Sequence, residues 1–554
     1  MSELIKINVM GEEVEIIKGT TLYNLSERYT HKLKYPIVLA TVDNGLKELS
    51  TQIKGPCKIE FFDITNPNGF RVYQRSLFFI MFCAIKDVIG KDVRIVINRS
   101  INKNYFCELS STSGNEKLTD DVILKIESRM KEIVKQELPI SKVTLSLEDG
   151  MAIAHENNLL DKIGTIKFRR TGWINFYELG NHYNYFYGTM AINTKYFTNF
   201  KLHRFASGLI LQMPEASNPS ELTELAQLDK MSKVFDQARQ WREILNTRNV
   251  CELNNNICDG KFSDIVRLSE ALHEKRVAEL ADMITNKGAS IVLIAGPSSS
   301  GKTTFANRLS IQLNVNGFKA RVISMDNYFK PAKEAELDEF GRPNFETISH
   351  VDVELLNNDL SKIVNGEEVP IPTYNFKDGR GEYHGDKIKI GDKDILIVEG
   401  IHGLNSSVAT TVPTDKKFKI FISALTQISI DDHNRIPTSD TRLIRRMVRD
   451  FQFRNYSATD TLNIWPSVAR GEAKYIFPFQ EEADAYFNSA LAYELCILKQ
   501  FAEPLLFGIT SDSPQYTEAR RLVKFLDSFL GCSSEHLPSN SIIREFIGGS
   551  CFKT

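Results

Sequence analysis

The sequence predicts a multidomain α/β protein whose C-terminal part is built on a parallel sheet. The chain has 554 residues, which at about 150 residues per domain corresponds to three or four compact units. Residues 1–62 alternate apolar and polar side chains, with one short helical stretch after Thr21, as in a small β-rich module. From Ser290 onward, strand and helix patterns alternate, which is typical of a parallel α/β domain.

Changes of composition and periodicity along the chain predict four segments. The first is β-rich with one helix, and the second mixes strands and helices as in an α+β unit. The third is a helical connector, and the fourth is the α/β domain with a C-terminal tail. Their expected bounds are residues 1–65, 66–225, 226–288 and 289–554.

Local patterns in the middle of the chain give more specific expectations. The turn signal at residues 66–69 (Asn-Pro-Asn-Gly) marks the first boundary. We expect an apolar helix over 77–88 and a charged helix over 120–136. After the cap-like residues 218–220, helical spacing predicts that a connector helix begins at Glu221.

Composition excludes several classes of protein. The chain has 68 Lys and Arg against 70 Asp and Glu, so a surface that coats nucleic acid or anionic lipid is disfavoured. Its eight cysteines form no C-x-x-C pair, which indicates reduced thiols rather than a disulfide framework or a zinc ribbon. The first residues show no signal-peptide pattern, and the strongest apolar run, 77–85, is about half a bilayer span. We therefore expect a cytoplasmic protein with no membrane segment.

One motif indicates a phosphate-binding site. Residues 296–303 read Gly-Pro-Ser-Ser-Ser-Gly-Lys-Thr and match G-x-x-x-x-G-K-[ST] in full, between an apolar strand pattern and a helical pattern. Backbone N–H groups converge in such a P-loop, and the helix behind it adds about half a positive charge, which suits a triphosphate. A chance Gly/Ser-rich turn is the alternative. We expect ATP to contact Gly296, Pro297, Ser298, Ser299, Ser300, Gly301, Lys302, Thr303 and Thr304.

The P-loop pattern also assigns roles. We expect Lys302 to neutralise the β- and γ-phosphate oxygens and the Thr303 hydroxyl to hold Mg²⁺. Asp326 and Glu399 each follow an apolar strand pattern, at the edge where open α/β sheets bind ligands. We expect Asp326 to act as the general base and Glu399 to support Mg²⁺ or its waters. For each acid, a helix cap or a solvated loop residue is the alternative.

A dense basic run follows in the same domain. Its members are Arg442, Arg445, Arg446, Arg449 and Arg454, with only Asp450 interspersed. The i, i+3 and i+4 spacing places several of them on one helix face, where they would repel one another unless an anion lies among them. Because guanidinium groups suit phosphate oxygens, we expect a phosphate-clamping lid. A solvated charged face is the alternative.

Taken in order, these motifs resemble the uridine kinase and phosphoribulokinase family over about residues 290–510. Further matching stretches are Ser-Met-Asp-Asn-Tyr-Phe (324–329), Asn-Phe-Glu (344–346), Ile-Pro-Thr-Tyr-Asn-Phe (371–376), Val-Glu-Gly-Ile (398–401) and Arg-Arg-Met-Val-Arg-Asp (445–450). The resemblance implies that Asp326 takes the proton of a sugar hydroxyl. It also implies that Arg446, Arg449 and Arg454 act on substrate and phosphates.

The resemblance further implies a substrate pocket. Its expected residues are Tyr328, Phe345, Glu346, Tyr374, Phe376, Arg380 and His402. Core packing is the alternative for Phe345 and Phe376, and a structural role is the alternative for His402. Gly379 stands where uridine kinases place a base-reading histidine, and Glu346 is one methylene longer than the usual aspartate. Pyrimidine selectivity is therefore in doubt.

The first 225 residues resemble the N-terminal half of threonyl-tRNA synthetase, a TGS β-grasp module followed by an editing domain. Matching the editing motifs places Arg75, Phe79, Glu178 and His182 at the four metal- and water-binding positions. With one of four matching, the resemblance implies a degenerate site with neither zinc nor deacylating activity. The whole order, including the tail 540–550, resembles a bacterial uridine kinase-like subgroup.

The sequence therefore predicts an ATP- and Mg²⁺-dependent kinase whose small-molecule acceptor is the 5′-hydroxyl of a nucleoside. One alternative is a kinase of another hydroxyl-bearing metabolite. The other is an RNA-associated regulator with a nucleotide-sensing P-loop domain, which the lack of a broad basic stretch in residues 1–225 disfavours. A nucleic-acid partner for the N-terminal half and an oligomer both stay open, whereas a GTPase is disfavoured by the lack of an N-K-x-D motif.

Overall fold

The computed structural model describes residues 3–101, 103–111, 118–206, 208–225, 229–337, 341, 344–375, 378–391 and 393–552. Its N-terminal residues form a five-stranded mixed sheet with one helix. The elements are Leu4–Val9 (β1), Glu12–Ile17 (β2), Leu22–Ser26 (α1), Leu39–Val42 (β3), Gly45–Lys47 (β4) and Lys58–Phe62 (β5). The strand order is β2-β1-β5-β3-β4, with β1 and β5 parallel. The helix expected after Thr21 is confirmed, and the Thr21 side chain accepts a hydrogen bond from the Asn24 N–H at its start.

The second part of the chain combines helices with two antiparallel sheets. Its elements are Pro67–Ile89 (α2), Val93–Ile101 (β6), Asn104–Ser111 (β7), Asp120–Lys135 (α3), Ser141–Ser146 (β8), Leu147–Glu156 (α4), Leu160–Lys167 (α5), Trp173–Leu179 (β9), His182–Asn184 (β10), Lys201–Phe205 (β11) and Gly208–Gln212 (β12). The sheets have the orders β11-β12-β7-β6 and β10-β9-β8. The charged helix expected over 120–136 is confirmed to within one residue.

The apolar helix α2 begins ten residues earlier than predicted. Asn66 and Pro67 are its N-cap and first residue, and the Asn66 side chain accepts a hydrogen bond of 2.9 Å from the Asn68 N–H. An Asn cap followed by proline satisfies the free N–H groups of a helix start. The stretch taken as a turn is therefore the beginning of a helix.

Three helices connect the second part to the α/β domain, namely Asp229–Leu245 (α6), Val250–Cys258 (α7) and Phe262–Lys287 (α8). The expected helix start at Glu221 is wrong. Leu222 instead forms an isolated bridge with Pro214, and the Thr223 N–H and hydroxyl donate to the Met213 carbonyl oxygen. These contacts with the preceding strand override the helical spacing, because they satisfy the local backbone groups in an extended conformation.

The α/β domain is built on a five-stranded parallel sheet. Its strands are Ile291–Ala295 (β13), Lys319–Ser324 (β14), Asp394–Glu399 (β19), Lys417–Ser423 (β20) and Ala485–Asn488 (β21), in the order β14-β19-β13-β20-β21. Four short strands lie between β14 and β19, namely Val369–Pro370 (β15), Thr373–Asn375 (β16), Arg380–Glu382 (β17) and Lys387–Ile388 (β18). Successive residues of β13 enter opposite cores, with Leu293 in one and Ile294 in the other. Burial on both faces explains the unbroken apolar pattern of the strand.

Helices cover both faces of this sheet. They are Lys302–Val315 (α9), Val353–Val364 (α10), Thr438–Phe453 (α11), Ala458–Tyr475 (α12), Glu494–Phe507 (α13), Tyr516–Leu526 (α14) and Arg544–Ile547 (α15). Ile542 and Phe546 of the C-terminal tail are fully buried in the main core. No helix among the described residues is long and apolar enough to cross a membrane.

Buried charges join the N-terminal half to the α/β domain. Lys162 of α5 and Asp431, between β20 and α11, are both fully buried and form an ion pair. The Lys162 Nζ also lies 2.9 Å from the Asp161 carboxylate. Arg94 of β6 donates to both oxygens of Asp432, at 2.7 and 2.8 Å. The segment that leads into α11 is thus held by residues from the other half of the chain.

Candidate active site

The P-loop connects β13 to the N-terminus of α9. Ser299 and Gly301 adopt positive φ angles of 59° and 82°, and a side chain on Gly301 would lie 2.6 Å from Ile542. Glycine is therefore required at position 301 by both conformation and space. The Lys302 Nζ donates to the Gly296 and Pro297 carbonyl oxygens at 3.0 and 3.3 Å. These bonds hold the lysine across the mouth of the loop.

The residues of this loop fit a triphosphate with a divalent cation. The Ser300 Oγ is buried without a hydrogen-bond partner. The Thr303 hydroxyl, in the first turn of α9, donates to Glu399 Oε1 at 3.1 Å. A hydroxyl beside a buried carboxylate offers the oxygen ligands that Mg²⁺ prefers, and Mg²⁺ takes few protein ligands because it also binds phosphates and water.

Asp326 and Glu399 follow adjacent strands of the sheet. Ser324 and Glu399 are register partners, and Asp326 lies in the 3-10 turn Met325–Tyr328 that follows β14. Burial raises the pKa of Glu399 to about 7, and the nearby Asp326 adds to the rise. Burial also raises the pKa of Asp326, while the charge of Lys302 opposes that rise. Two acids and one lysine thus lie close together at the carboxyl edge of the sheet, where their charges act on one another.

The arginine run lies on and just after helix α11. Each is paired with a carboxylate of the protein itself, so the repulsion argument from the sequence is wrong. The pairs are Arg442 with Glu472, Arg445 with Glu494, Arg449 with Glu545, and both Arg446 and Arg454 with Asp450. Glu472, Glu494 and Glu545 are distant in the sequence, which is why the basic run alone could not predict them.

Four of these arginines reach the P-loop in two ways. Arg442 and Arg445 are buried and donate to the backbone carbonyl oxygens of Ser298 and Ser299, at 3.1 and 3.3 Å. Arg446 Nη1 lies 2.9 Å from the Ser298 hydroxyl, and Arg449 Nη2 lies 3.3 Å from the Ser299 hydroxyl. Arg442 and Arg445 thus bind the backbone of the loop, whereas Arg446 and Arg449 contact its serine hydroxyl groups.

Two expected substrate residues, Glu346 and His402, lie close to each other. Burial raises the pKa of Glu346 to about 7, with the Arg446 charge opposing the rise, and the Glu346 Oε2 has no hydrogen-bond partner. His402 is buried, and burial lowers its pKa to about 4 while the backbone of Glu346 and Thr347 opposes that effect. A buried polar atom without a partner is costly, so the Glu346 carboxyl suits contact with a polar ligand.

The remaining substrate candidates are scattered. Tyr374 is buried, and its N–H lies 3.5 Å from Asn327 Oδ1, in the segment that carries Asp326. The exposed ring of Phe345 lies 5.0 Å from that of His350. Arg380 is exposed and pairs with Glu382 at 3.2 Å.

Tyr328 does not lie among these groups. Tyr328 lies in the core, where its hydroxyl donates to Asp359 at 3.2 Å. The structure thus directs the Tyr328 hydroxyl to the protein interior. Phe376 lies outside the described residues.

Sequence reasoning missed two carboxylates at the loop. Glu472 Oε1 accepts a hydrogen bond of 2.8 Å from the Ser298 N–H. Glu545, in the C-terminal tail, accepts from the Thr304 N–H and hydroxyl at 3.3 and 2.8 Å and pairs with Arg449 at 3.2 Å. The one available signal was an acid within an apolar run, Ile542 to Ile547, where an unpaired charge would be costly.

The four positions matched to an editing site make separate contacts. Arg75 donates to the Thr189 carbonyl oxygen, and Phe79 lies in the core. His182 Nε2 lies 2.8 Å from Asp87, while Glu178 accepts from the Tyr183 hydroxyl. Across the described part of the chain, no three His, Cys, Asp or Glu side chains are grouped closely enough to hold a metal ion.

Comparison with known proteins identifies a family for the α/β domain. The model of the phosphoribulokinase/uridine kinase family matches residues 291–494. Uridine kinases from Staphylococcus aureus strains JH9 and Newman are each 30% identical over 200 residues, which is 36% of this chain and 86% of theirs. The chain belongs to the phosphoribulokinase/uridine kinase family. Membership of this family supports a phosphotransferase with an alcohol group as acceptor.

Two solved structures are similar to part of the chain. A possible uridine kinase from Bacillus stearothermophilus is 18% identical, with a TM-score of 0.27, over 39% of this chain and 98% of that one. A D-glycerate 3-kinase from Cryptococcus neoformans is 14% identical, with a TM-score of 0.22, over 45% of this chain and 87% of that one.

Proposed function

We propose that this member of the phosphoribulokinase/uridine kinase family transfers the γ-phosphoryl group of ATP to the 5′-hydroxyl of a nucleoside. The observation that carries the proposal is the placement of Asp326, Glu399 and the P-loop, with Lys302, at the carboxyl edge of the parallel sheet. At that edge, an acid can face an acceptor while the lysine faces phosphates.

In this proposal, each residue has a separate task. The P-loop amides and Lys302 hold the phosphates, and Arg446 and Arg449 neutralise the charge that develops during transfer. Arg454 lies near enough to lower the pKa of Asp326 and belongs to the same lid. Asp326 accepts the proton of the acceptor hydroxyl. When bound, Mg²⁺ at Thr303 and Glu399 would supply further charge neutralisation.

The proposed acceptor pocket lies on the side of Glu346 and His402. A carboxylate with a free oxygen and a neutral buried imidazole suit the hydroxyl groups and base edge of a nucleoside. Gly379 has a φ of 64°, in the turn between β16 and β17. Glycine adopts this angle freely but offers no side chain to contact a base. We therefore propose weak discrimination between pyrimidine and purine nucleosides.

A kinase of another hydroxyl-bearing metabolite is the second candidate. It is favoured by the exposed position of Phe345, which leaves one wall of the proposed pocket open to solvent. An open wall selects poorly for a base, because selectivity needs buried polar contacts.

For the N-terminal half, we propose a TGS-like β-grasp module in residues 1–65 and an editing-like α+β domain in residues 66–225. The order β2-β1-β5-β3-β4 with a parallel central pair supports the first assignment. We further propose that this half braces the α/β domain and carries no zinc-dependent deacylation.

One experiment tests the function directly. The full chain is incubated with Mg²⁺-ATP and a panel of nucleosides, sugar alcohols and glycerate, and the phosphorylated product is identified by mass spectrometry. The Asp326→Asn variant is the matched control. Phosphorylation of several nucleosides at similar rates would support the proposal. Product from a non-nucleoside alone would favour the second candidate, and a strong uridine preference would overturn the role given to Gly379.

A further inference from the structure

Two buried cysteines lie next to each other where helix α13 packs against the segment that follows α14. Cys496 is in the first turn of α13 and is fully buried, and Cys532 lies shortly after α14 with 7% of its surface exposed. We refer to these two residues as the thiol pair. The Cys532 N–H donates to the Cys496 carbonyl oxygen at 3.0 Å. Backbone hydrogen bonds of this kind hold two Cα atoms about 5.5 Å apart in a sheet, and disulfides join Cα atoms that are about 4.4–6.8 Å apart.

Further contacts hold the segment of Cys532 along helix α13. The Lys499 ammonium group, one turn after Cys496, donates to the carbonyl oxygens of Leu526 and Phe529, at 2.8 and 2.7 Å. An added Cβ on Gly531 would lie 3.5 Å from the Gln500 side chain of the same helix. The surrounding fold therefore fixes the thiol pair at neighbouring positions, so a covalent link between its members needs little movement of the backbone.

The two thiol groups also act on each other. A hydrogen bond from the Cys496 thiol lowers the pKa of Cys532 and raises the pKa of Cys496 well above its usual value. The reactive species in thiol oxidation is the thiolate. Cys532 has the lower pKa and the larger exposed surface, so it is the member that reacts first. Cys496 is then the neighbouring thiol that completes the reaction.

Four other cysteines provide controls within the same chain. Cys83 and Cys107 are buried in the core of the second part, where burial raises the pKa of each thiol. Cys258 and Cys551 are exposed to solvent. The first two show what burial does to a thiol, and the last two report whether an oxidant has reached the protein surface.

We propose that the thiol pair is a reversible redox site, in which a hydroperoxide joins Cys496 to Cys532 by a disulfide bond. The Cys532 sulfur attacks one oxygen of hydrogen peroxide, so an S–O bond forms, the O–O bond breaks and one water leaves. The Cys496 sulfur then attacks the sulfur of this sulfenic acid, so the S–S bond forms and a second water leaves. In total, two thiols and one peroxide give one disulfide and two waters, and two electrons pass from sulfur to oxygen.

The link has a consequence for the C-terminal tail. It closes a loop that contains α14 and joins α13 to the chain that leads to Ile542 and Glu545, both at the P-loop. A disulfide between residues far apart in sequence stabilises a protein chiefly by restricting the unfolded chain. We therefore expect the melting temperature to rise by a few degrees on oxidation and to return on reduction.

The test treats the full chain with hydrogen peroxide, alkylates the remaining thiols after unfolding, and maps linked peptides by mass spectrometry without reduction. We expect a peptide in which Cys496 and Cys532 are joined, lighter by two hydrogen atoms than the sum of its parts, and its loss after dithiothreitol. Cys83 and Cys107 should be recovered as alkylated thiols from the same sample. Melting temperatures of the oxidised and reduced forms are compared in parallel.

Cys532→Ser is the matched variant, because it keeps the size of the side chain but cannot form the link. It should abolish both the linked peptide and the rise in melting temperature, whereas Cys258→Ser, the control, should change neither. Recovery of the thiol pair unlinked while Cys258 is oxidised would overturn the proposal. A link from Cys496 or Cys532 to a different cysteine would also overturn it, as would Cys532 found only as a sulfinic or sulfonic acid. The peptide map of the unaltered chain decides the matter even if the variant does not fold, and no outcome depends on the proposed kinase activity.

Discussion

At the scale of single residues, the site is defined by two acids, the buried Glu399 and the half-buried Asp326, whose charges act on each other. Glu399 ends β19 and Asp326 lies in the turn after the adjacent strand β14, and burial raises both pKa values. Lys302 lies among them, and burial lowers its pKa while the two acids oppose that effect. Such a set can bind a cation, which reduces the repulsion between the two acids, or a phosphate, which pairs with the lysine.

The first prediction concerns the proposed base. Asp326→Asn keeps the shape of the side chain but cannot accept a proton, so we expect turnover to fall by about 10²–10⁴-fold. ATP affinity should change little, since Asp326 is assigned to the acceptor. Single-turnover assays and calorimetry with Mg²⁺-ATP measure the two quantities. Retention of more than about a tenth of wild-type turnover would refute the role of Asp326.

The second prediction concerns pH. Because burial raises the pKa of Glu399 to about 7, the carboxylate is protonated below that pH and a cation must displace the proton. We expect the Mg²⁺ concentration for half-maximal activity to fall as the pH rises from about 6 to about 8. Glu399→Gln should remove this dependence. A pH profile that is unchanged in the variant would show that another group controls it, and Glu346 is the first to examine.

At the scale of elements, helix α11 contacts the P-loop, helices α12 and α13, and the C-terminal tail. Arg442 and Arg445 tie the loop carbonyl oxygens to Glu472 and Glu494. The guanidinium groups of Arg445 and Arg449 lie over the Phe546 ring, at 5.1 and 5.7 Å from its centroid. The tail is therefore part of the wall of the site.

The third prediction follows from that wall. Glu545→Gln keeps an acceptor for the Thr304 hydroxyl but loses the charge that pairs with Arg449. We expect turnover to fall about tenfold, because Arg449 loses the carboxylate that positions it, and the melting temperature to fall as well, because a buried charge loses its partner. Glu535→Gln, an exposed acid shortly before the tail, is the matched control and should change neither quantity. A lowered melting temperature with unchanged turnover would indicate a structural role only.

At the scale of the whole molecule, the two halves are joined by charges that are removed from water. Lys162 and Asp431 have no exposed side-chain surface, and Asp161 contacts the same ammonium group. The Lys162 charge lowers the pKa of Asp161 to about 2 against the effect of burial. Removing one member of such a group leaves the others buried and unpaired.

The fourth prediction tests this junction. Lys162→Met should destabilise the protein by about 3–5 kcal/mol, because two acids lose their counter-charge. Lys125→Met, which removes an exposed i, i+4 pair with Asp121, should change stability by less than about 0.5 kcal/mol. Urea unfolding midpoints compare the two variants. Equal midpoints would mean that the junction contributes nothing to stability.

The sequence by itself determined the P-loop, the strands β13, β14 and β19 and the placement of Asp326 and Glu399 at strand ends. These features depend on local patterns: apolar runs, glycine positions and the order of strand, loop and helix. The resemblance to the kinase family rested on the same motifs and was confirmed for residues 291–494. The roles given to the individual site residues stay predictions.

Only the tertiary structure decided which acids face the arginines of α11 and where several elements begin. Glu472, Glu494 and Glu545 come from later elements, so no pattern within the basic run could indicate them. The irregular path after Glu221 depended on contacts with the preceding residues Met213 and Pro214, whereas the start of α2 at Pro67 is set by a local Asn-Pro cap that the turn interpretation overlooked. The physical reason is that pairing of charges and backbone groups is set by distance in space, whereas periodicity reports only neighbours along the chain.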